Sequence, residues 1–503
     1  MHRRHFLVLL TAGAGAALGG SLLSTGPAQS ATGATGPGFT FPDTPVGRAF
    51  RRWLEAYNAA AVEVLRDFHR AISPAEQIDG RTALDLILRR QTGAIDPYGV
   101  IRSDEFELVI YGRSRLTELW MEGLMALSPE PPHELVGLGG RPIAPPADRR
   151  TGGALTAAEL RSELDRYPAK LAAAEVFSGA VLVAQEGQVP YAMAFGMADR
   201  ERGMPNGVDT RFNLGSMNKM FTAVAVAQLY ERGALTLHEP IGRYLPDLPR
   251  PIADGATVHH LLTHTSGLGD FFGPRFEAVK ETLRSPRDYF PLFIDEPLRF
   301  EPGDHWGYSN AGFIVLGAIV ETVGGSDYFA YIREHIYGPA GMIASDTYER
   351  DETLPDLARG YATPLPPDPA ELRAEDAFKP PVDNFDLLPR MGSPAGGGYS
   401  TVTDLWRFDQ ALRAGVLVRP QTAELLTTGK VAPPFDTDER YGYGFQEERY
   451  LGTRISGHGG GFPGVSSKLD IYLDLGYTVA VLSNLDGGAQ PVVAKFRELL
   501  VRV

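Results

Sequence analysis

Two stretches far apart in the chain carry the same hairpin signature, and together they restrict the fold. In residues 177–195 two alternating apolar runs flank Glu186-Gly187-Gln188, and in residues 467–482 two more flank Asp474-Leu475-Gly476. Period-two alternation around a short polar turn is the pattern of an antiparallel hairpin. Residues 155–174 form an amphipathic helical pattern before the first hairpin, and residues 490–501 form one after the second. The sequence between is mainly helix and loop. Strands at both ends with helices between predict an α+β unit over residues 154–503: one antiparallel sheet completed by distant parts of the chain, with a helical insertion.

The chain has 503 residues, more than one ordinary domain needs. Ahead of the large unit, residues 44–146 read as a small α+β domain. Helical spacing over residues 46–70 and 82–90 is followed by strand patterns at 106–110, 119–121 and 133–138. Pro145-Pro146 and residues 147–153 then read as a linker. The order of helices first and sheet after is similar to the cone-shaped domains of the ketosteroid isomerase and nuclear transport factor type. No acid/base pair stands out there, and a scaffold or docking module is the expectation.

The first 43 residues are of another kind. His2-Arg3-Arg4-His5 is basic, residues 6–23 are apolar and small, and Ala28-Gln29-Ser30 offers small residues for cleavage. This order predicts a secretory signal peptide over residues 1–30, with 31–43 as a flexible leader. The competing reading, a retained membrane anchor, is weakened by the glycines. The arginine pair also resembles a twin-arginine export signal. No later run reaches the roughly 18 apolar residues of a span, so an exported protein without a membrane span after signal removal is expected. The formal charge of −14 repels phosphate backbones, and nucleic acid is not an expected partner. The absence of cysteine excludes disulfides, thiolate metal sites and cysteine nucleophiles.

The chemistry centres on Asn213-Leu214-Gly215-Ser216-Met217-Asn218-Lys219, which runs into an apolar segment ending at Gly233. Apolar residues lie on every face of that segment, so the helix is predicted to be buried. A spacing of three puts Ser216 and Lys219 on one face, one turn apart. Serine is a weak nucleophile that needs a base, and a buried lysine can lose its proton because desolvation disfavours the ammonium. The bare pattern also describes an N-cap serine followed by a snorkelling lysine. Two later motifs shift the balance. Tyr308-Ser309-Asn310 precedes an apolar helix, and His458-Gly459-Gly460-Gly461 precedes the second hairpin.

With these three motifs in order, the sequence resembles the serine β-lactamase and penicillin-binding superfamily, in its class C-like branch of esterases, D-aminopeptidases and DD-peptidases. Segments 257–268, Glu301-Pro302-Gly303, 395–401 and 441–445 fit the same branch, and the resemblance covers roughly residues 154–503. It implies a β-lactamase-like fold and a serine hydrolase with no cofactor. Ser216 would attack a carbonyl, and Lys219 and Tyr308 would handle its proton. The backbone N–H groups of Ser216 and Gly461 would form the oxyanion hole. Asn310 would hold Lys219 or a substrate amide, His458 would take a catalytic place in the third motif, and Gly459 and Gly460 would border the substrate. The third motif departs from the family's Lys-Thr-Gly, which binds a carboxylate. That points to small-molecule or peptide esters and amides. A catalytically quiet binding protein and a DD-peptidase or β-lactamase stand as alternatives.

Rival motif readings fail on order or spacing. The His-Gly-Gly-Gly loop of α/β-hydrolases precedes its nucleophile, and no Gly-x-Ser-x-Gly follows here. His260 and His264 are four apart, but Leu261 stands where a zinc helix has glutamate, so helix packing and capping are expected and no metal. Asp270, Asp304 and Glu301 read as loop and turn residues.

Overall fold

The computed structural model describes residues 39–150, 153–350, 352, 354–366, 368–434 and 438–502. The expected signal peptide, most of the leader and part of the linker lie outside the described residues.

Thr44 opens the N-terminal unit, its side chain accepting a hydrogen bond from the Gly47 N–H. α1 (Pro45–Ala59), α2 (Val62–Ile72) and α3 (Ile78–Thr92) follow. The single helix expected over 46–70 is two, because Ala60 takes a left-handed conformation with φ 52°. A four-stranded antiparallel meander comes next: β1 (Ile95–Ser103), β2 (Glu107–Ser114), β3 (Trp120–Leu127) and β4 (Leu135–Ile143). β1 was not legible, since Pro97 and Gly99 interrupt it and the register shifts at that point. The strand expected at 133–138 starts later, with His133 in the preceding turn at φ 61°.

This unit is not insulated from the rest. Ala374 and Ala377 lie in its core beside Phe50 and Leu86. Arg90 donates to the Ala377 carbonyl, and Arg166 and Lys170 both bind Glu118.

In the larger unit, α4 (Ala157–Ala173) begins at a reciprocal cap between Thr156 and Glu159. β5 (Gly179–Gln185) and β6 (Gln188–Phe195) form the first hairpin. α5 (Asn218–Glu231), α6 (Val258–Leu262) and α7 (Asn310–Gly324) belong to the helical insertion. The chain returns through β7 (Arg440–Tyr441), β8 (Gln446–Tyr450), β9 (Thr453–Phe462), β10 (Val465–Tyr472) and β11 (Tyr477–Ser483), and ends on α8 (Ala489–Leu500). The seven strands run β7-β8-β9-β10-β11-β5-β6, with every pair antiparallel. Val183 of β5 faces Val479 of β11, so the two distant hairpins share one sheet.

Alternation sorts the side chains of this sheet between two cores. Leu182, Leu469, Ala480 and Leu482 pack towards α5 and α7. Val181, Val183, Val479 and Val481 pack towards α4 and α8. α5 is buried from Asn218 to Leu229, as its all-round apolar pattern predicts. The central helix therefore holds its first turn rigidly against the sheet.

Candidate active site

Ser216 sits in the 3-10 turn Gly215–Met217 that leads into α5. Gly215 has φ +52°, and a Cβ placed on it would lie 2.8 Å from the Gly461 nitrogen. Glycine is required there both for the left-handed backbone and for the close approach of β9. Gly460 meets the close-approach demand alone, since its Cβ would lie 1.8 Å from the Leu214 carbonyl oxygen. The glycine run in β9 thus lets the strand press against the serine turn.

The same strand presents a donor. The Gly459 N–H donates to Gln446 Oε1 at 3.2 Å, on the side of β9 away from β10. Residues two apart in a strand point their N–H groups the same way, so the Gly461 N–H faces that side too. β8 begins at Gln446, opposite Gly457, and leaves this part of the β9 edge open beside Ser216. The Gly461 nitrogen thereby lies beside the serine turn, 2.8 Å from where a Cβ on Gly215 would stand.

Lys219 is fully buried. Its Nζ lies 2.6 Å from the Ala395 carbonyl oxygen, 2.7 Å from Asn310 Oδ1 and 3.2 Å from Ser216 Oγ. The Asn310 amide is held in this sense by Asp270, whose Oδ2 accepts from Nδ2 at 2.8 Å. Asn310 therefore holds the lysine. The Tyr308 hydroxyl interacts with the Ser216 side chain, and its ring lies 4.9 Å from Lys219 Nζ. Burial depresses Lys219 to about 7, partly opposed by the Asp270 carboxylate. Burial pushes the Tyr308 phenol well above its usual range. At neutral pH the site therefore holds a lysine poised to be neutral beside a phenol that keeps its proton.

The structure corrects one expectation. His458 is buried, with Nε2 bonded to the Tyr441 hydroxyl at 2.9 Å and Nδ1 to the Gly459 carbonyl. Both ring nitrogens are used inside the protein, so His458 offers none to a substrate. Burial pushes its pKa down to about 3, which keeps it neutral. Asp270 lies in a loop, as expected, and from there it orients Asn310 and acts on the charge of Lys219.

Sequence reasoning missed three other participants. The Ala395 carbonyl reaches Lys219 because Gly396, Gly397 and Gly398 bring that loop onto the serine turn. The Gly397 N–H donates to the Gly215 carbonyl, and the Leu214 N–H to that of Gly398. His264 is fully buried, its Nδ1 accepting from the Ser309 N–H at 3.1 Å and its ring 4.2 Å from that of Tyr308. It fixes the turn that carries the tyrosine. Tyr441 anchors His458. His260 caps α6 through Thr257, and no cluster of metal-ligating side chains exists among the described residues. At the mouth, Phe272 is 47% exposed, and its ring lies 6.0 Å from that of Phe462, the neighbour of Gly461.

A family model of beta-lactamases matches residues 164–502. The chain belongs to the beta-lactamase family. It is similar to penicillin-binding protein 4* of Bacillus subtilis, 32% identical over 61% of this chain and 68% of that one. It is also similar to esterase EstB of Burkholderia gladioli, 33% identical over 54% of this chain and 75% of that one. The crystal structure of a penicillin-binding protein from Bacillus halodurans superposes with TM-score 0.59 at 32% identity, covering 68% of this chain and 98% of that one. This member of the family is a serine hydrolase, and its fold is β-lactamase-like.

Proposed function

We propose that Ser216 is the nucleophile of an exported hydrolase that forms an acyl-enzyme on neutral esters or amides, with Lys219 as base and Tyr308 as proton relay. The observation that carries this reading is the set of partners around Lys219. The Ala395 carbonyl and Asn310 Oδ1 can only accept, and they take the two shortest contacts. Ser216 Oγ, the third partner, is the one that can donate. A neutral amine donating to the first two must turn its lone pair to the serine.

In the proposed step the Ser216 oxygen bonds to the substrate carbonyl carbon while its proton passes to Lys219 Nζ. The carbonyl oxygen becomes an oxyanion facing the Ser216 and Gly461 amides. As the intermediate collapses, the leaving oxygen or nitrogen takes the Tyr308 proton, and the Lys219 ammonium restores it. Water repeats the sequence to release the acid. Export rests on the basic, apolar and small-residue order of residues 1–30.

A fluorophosphonate probe should label the peptide containing Ser216. Labelling elsewhere, or none, would remove the assignment.

Substrate class follows from charge. A β-lactam carries a carboxylate, and a Lys-Thr pair in the third motif would offset its desolvation by about 1.5–3 kcal/mol per charge-assisted bond. Here His458 is neutral and engaged, and Gly459 has no hydroxyl. Lys468, opposite Gly459, is held by Gln446 and Glu448. The aromatic mouth formed by Phe272 and Phe462 suits apolar groups. Short-chain p-nitrophenyl esters should exceed a chromogenic cephalosporin in kcat/KM by at least about tenfold, the factor of roughly 1.4 kcal/mol. The reverse order would show that the third motif does not select the substrate.

Asp270 gives a pH test. Its carboxylate favours the ammonium of Lys219, so Asp270→Asn should lower the lysine pKa further. The active form is the free amine, so kcat/KM rises with pH through about 7 in the wild type. In the variant that acid limb should move to lower pH. An unmoved limb with lower kcat would mean that Asp270 acts only by holding Asn310.

A further inference from the structure

The start of α5 holds the loop after residue 392 by three consecutive carbonyls. Asn218 Nδ2 donates to the Ser393 carbonyl at 3.3 Å, Thr222 Oγ1 to that of Pro394 at 2.7 Å, and Lys219 Nζ to that of Ala395 at 2.6 Å. Asn218 and Lys219 stand four and three residues before Thr222, the spacings that share a helix face. The loop also closes on itself. The Ser393 N–H bonds the Gly396 carbonyl, and the Gly396 N–H bonds the Ser393 carbonyl. Peptide planes are rigid, so neighbouring carbonyls in so tight a turn do not move independently. The bond at Pro394 therefore fixes where the Ala395 oxygen stands.

Thr222 is fully buried. Its hydroxyl has one proton to give. Two carbonyls are in reach, Pro394 at 2.7 Å and Asn218 at 3.4 Å, and the nearer takes it. The Tyr328 hydroxyl, 2.6 Å from Thr222 Oγ1, must then donate. Burial pushes the Tyr328 phenol above its usual range, so it keeps that proton. The bonds run one way, from Tyr328 to Thr222 to Pro394, and all three residues are buried.

We propose that Thr222, oriented by Tyr328, is a positioning residue for the base. Through the Pro394 carbonyl it sets the Ala395 oxygen, which takes one Lys219 proton and so turns the amine lone pair to Ser216. The role rests on Lys219 being the base. A carbonyl dipole favours the ammonium over the amine, so losing the Ala395 contact lowers the lysine pKa. The released amine also aims its lone pair at the serine less often. The titratable groups facing Lys219 are Asp270, Tyr308, His264 and His458. The Thr222 hydroxyl bonds none of them, so a moved acid limb reports the carbonyl.

The test is Thr222→Val, which keeps the side-chain shape and removes the hydroxyl, beside Thr222→Ser, which keeps the hydroxyl. Ester kcat should fall at least about tenfold in Thr222→Val, because a group misplaced by 1 Å costs on the order of a hundredfold. KM should hold, since no substrate contact is removed. The acid limb of kcat/KM should move to lower pH, and Thr222→Ser should match the wild type in both. Tyr328→Phe leaves the Pro394 bond but no longer fixes its direction. It should give a smaller loss with the limb moved the same way, and it stands in if Thr222→Val does not fold. Wild-type kcat in the folded variant, a loss with an unmoved limb, or a loss shared by Thr222→Ser would overturn the role. The base itself is read in the wild type, by fluorophosphonate labelling of Ser216 and a limb at about pH 7. With both present, those results remove only the role of Thr222. With either missing, the base assignment falls and takes that role with it.

Discussion

Ser216→Ala is expected to lower ester turnover by at least about 10⁴-fold, on the scale seen when a nucleophile is removed from a group of residues that act as one unit. The side chain lies beside the cleft at 8% exposure, and its loss opens no cavity larger than one oxygen. Lys219 keeps its two shorter partners, Asn310 and the Ala395 carbonyl. Tyr308 loses its interaction with the Ser216 hydroxyl, at most about 1 kcal/mol, the worth of one hydrogen bond. The melting temperature should therefore change by no more than a few degrees. The checks are kcat/KM on p-nitrophenyl butyrate, fluorophosphonate labelling and thermal unfolding of the same preparation. A variant that keeps more than a hundredth of wild-type turnover, or still takes the label, would rule out Ser216.

Lys219→Met should be nearly as damaging to activity and should leave a separate signature in stability. A positioned base contributes about 10²–10⁴-fold, so a loss of that size in kcat is expected. The stability argument runs through proton linkage. Lys219 has a folded pKa of about 7, against about 10.4 in an unfolded chain. Between these values the unfolded state binds one more proton, and stability rises with pH. Below the folded value the lysine is charged in both states and contributes no slope. Methionine has no proton to exchange, so the rise between pH 7 and 10 should be smaller in the variant by the contribution of one group. Denaturant unfolding at pH 7, 8.5 and 10 measures it. Identical pH slopes in the two proteins would mean that Lys219 is not depressed and is not poised as the base.

The serine, lysine and tyrosine positions were legible because their motifs are local. Three residues set Ser216 and Lys219 on one face, and a turn before an apolar helix carries Tyr308. The rest of the site is assembled by loops whose geometry no local pattern states. Asp270 matters because it meets Asn310, forty residues later. Ala395 matters through its carbonyl, and any residue carries one. His458 illustrates the opposite error. Its place in the motif order is as expected, but Tyr441 approaches from β7 and takes the ring nitrogen that a substrate would need. The large sheet followed from alternation in the two hairpins. In the N-terminal unit the first strand was hidden by Pro97 and Gly99, and the His69–Asp85 pair by a separation of sixteen residues across two helices.

The closing of the sheet by β11 against β5 sets when the enzyme can become active. β5 has β6 on one side, and its other edge stays bare until residues 477–483 have been made. The Leu155 N–H bonds the Arg502 carbonyl, so even the start of the unit waits for the last helical turn. Pairing across so long a separation has a large loop-closure cost and makes folding slow. Gly461, whose amide flanks Ser216, also belongs to this late segment. The growing chain therefore carries its serine without a reactive site until residues 477–502 have been made. A nascent chain halted before β11 should take no fluorophosphonate, while its N-terminal helices and meander, complete by residue 143, are already available to fold.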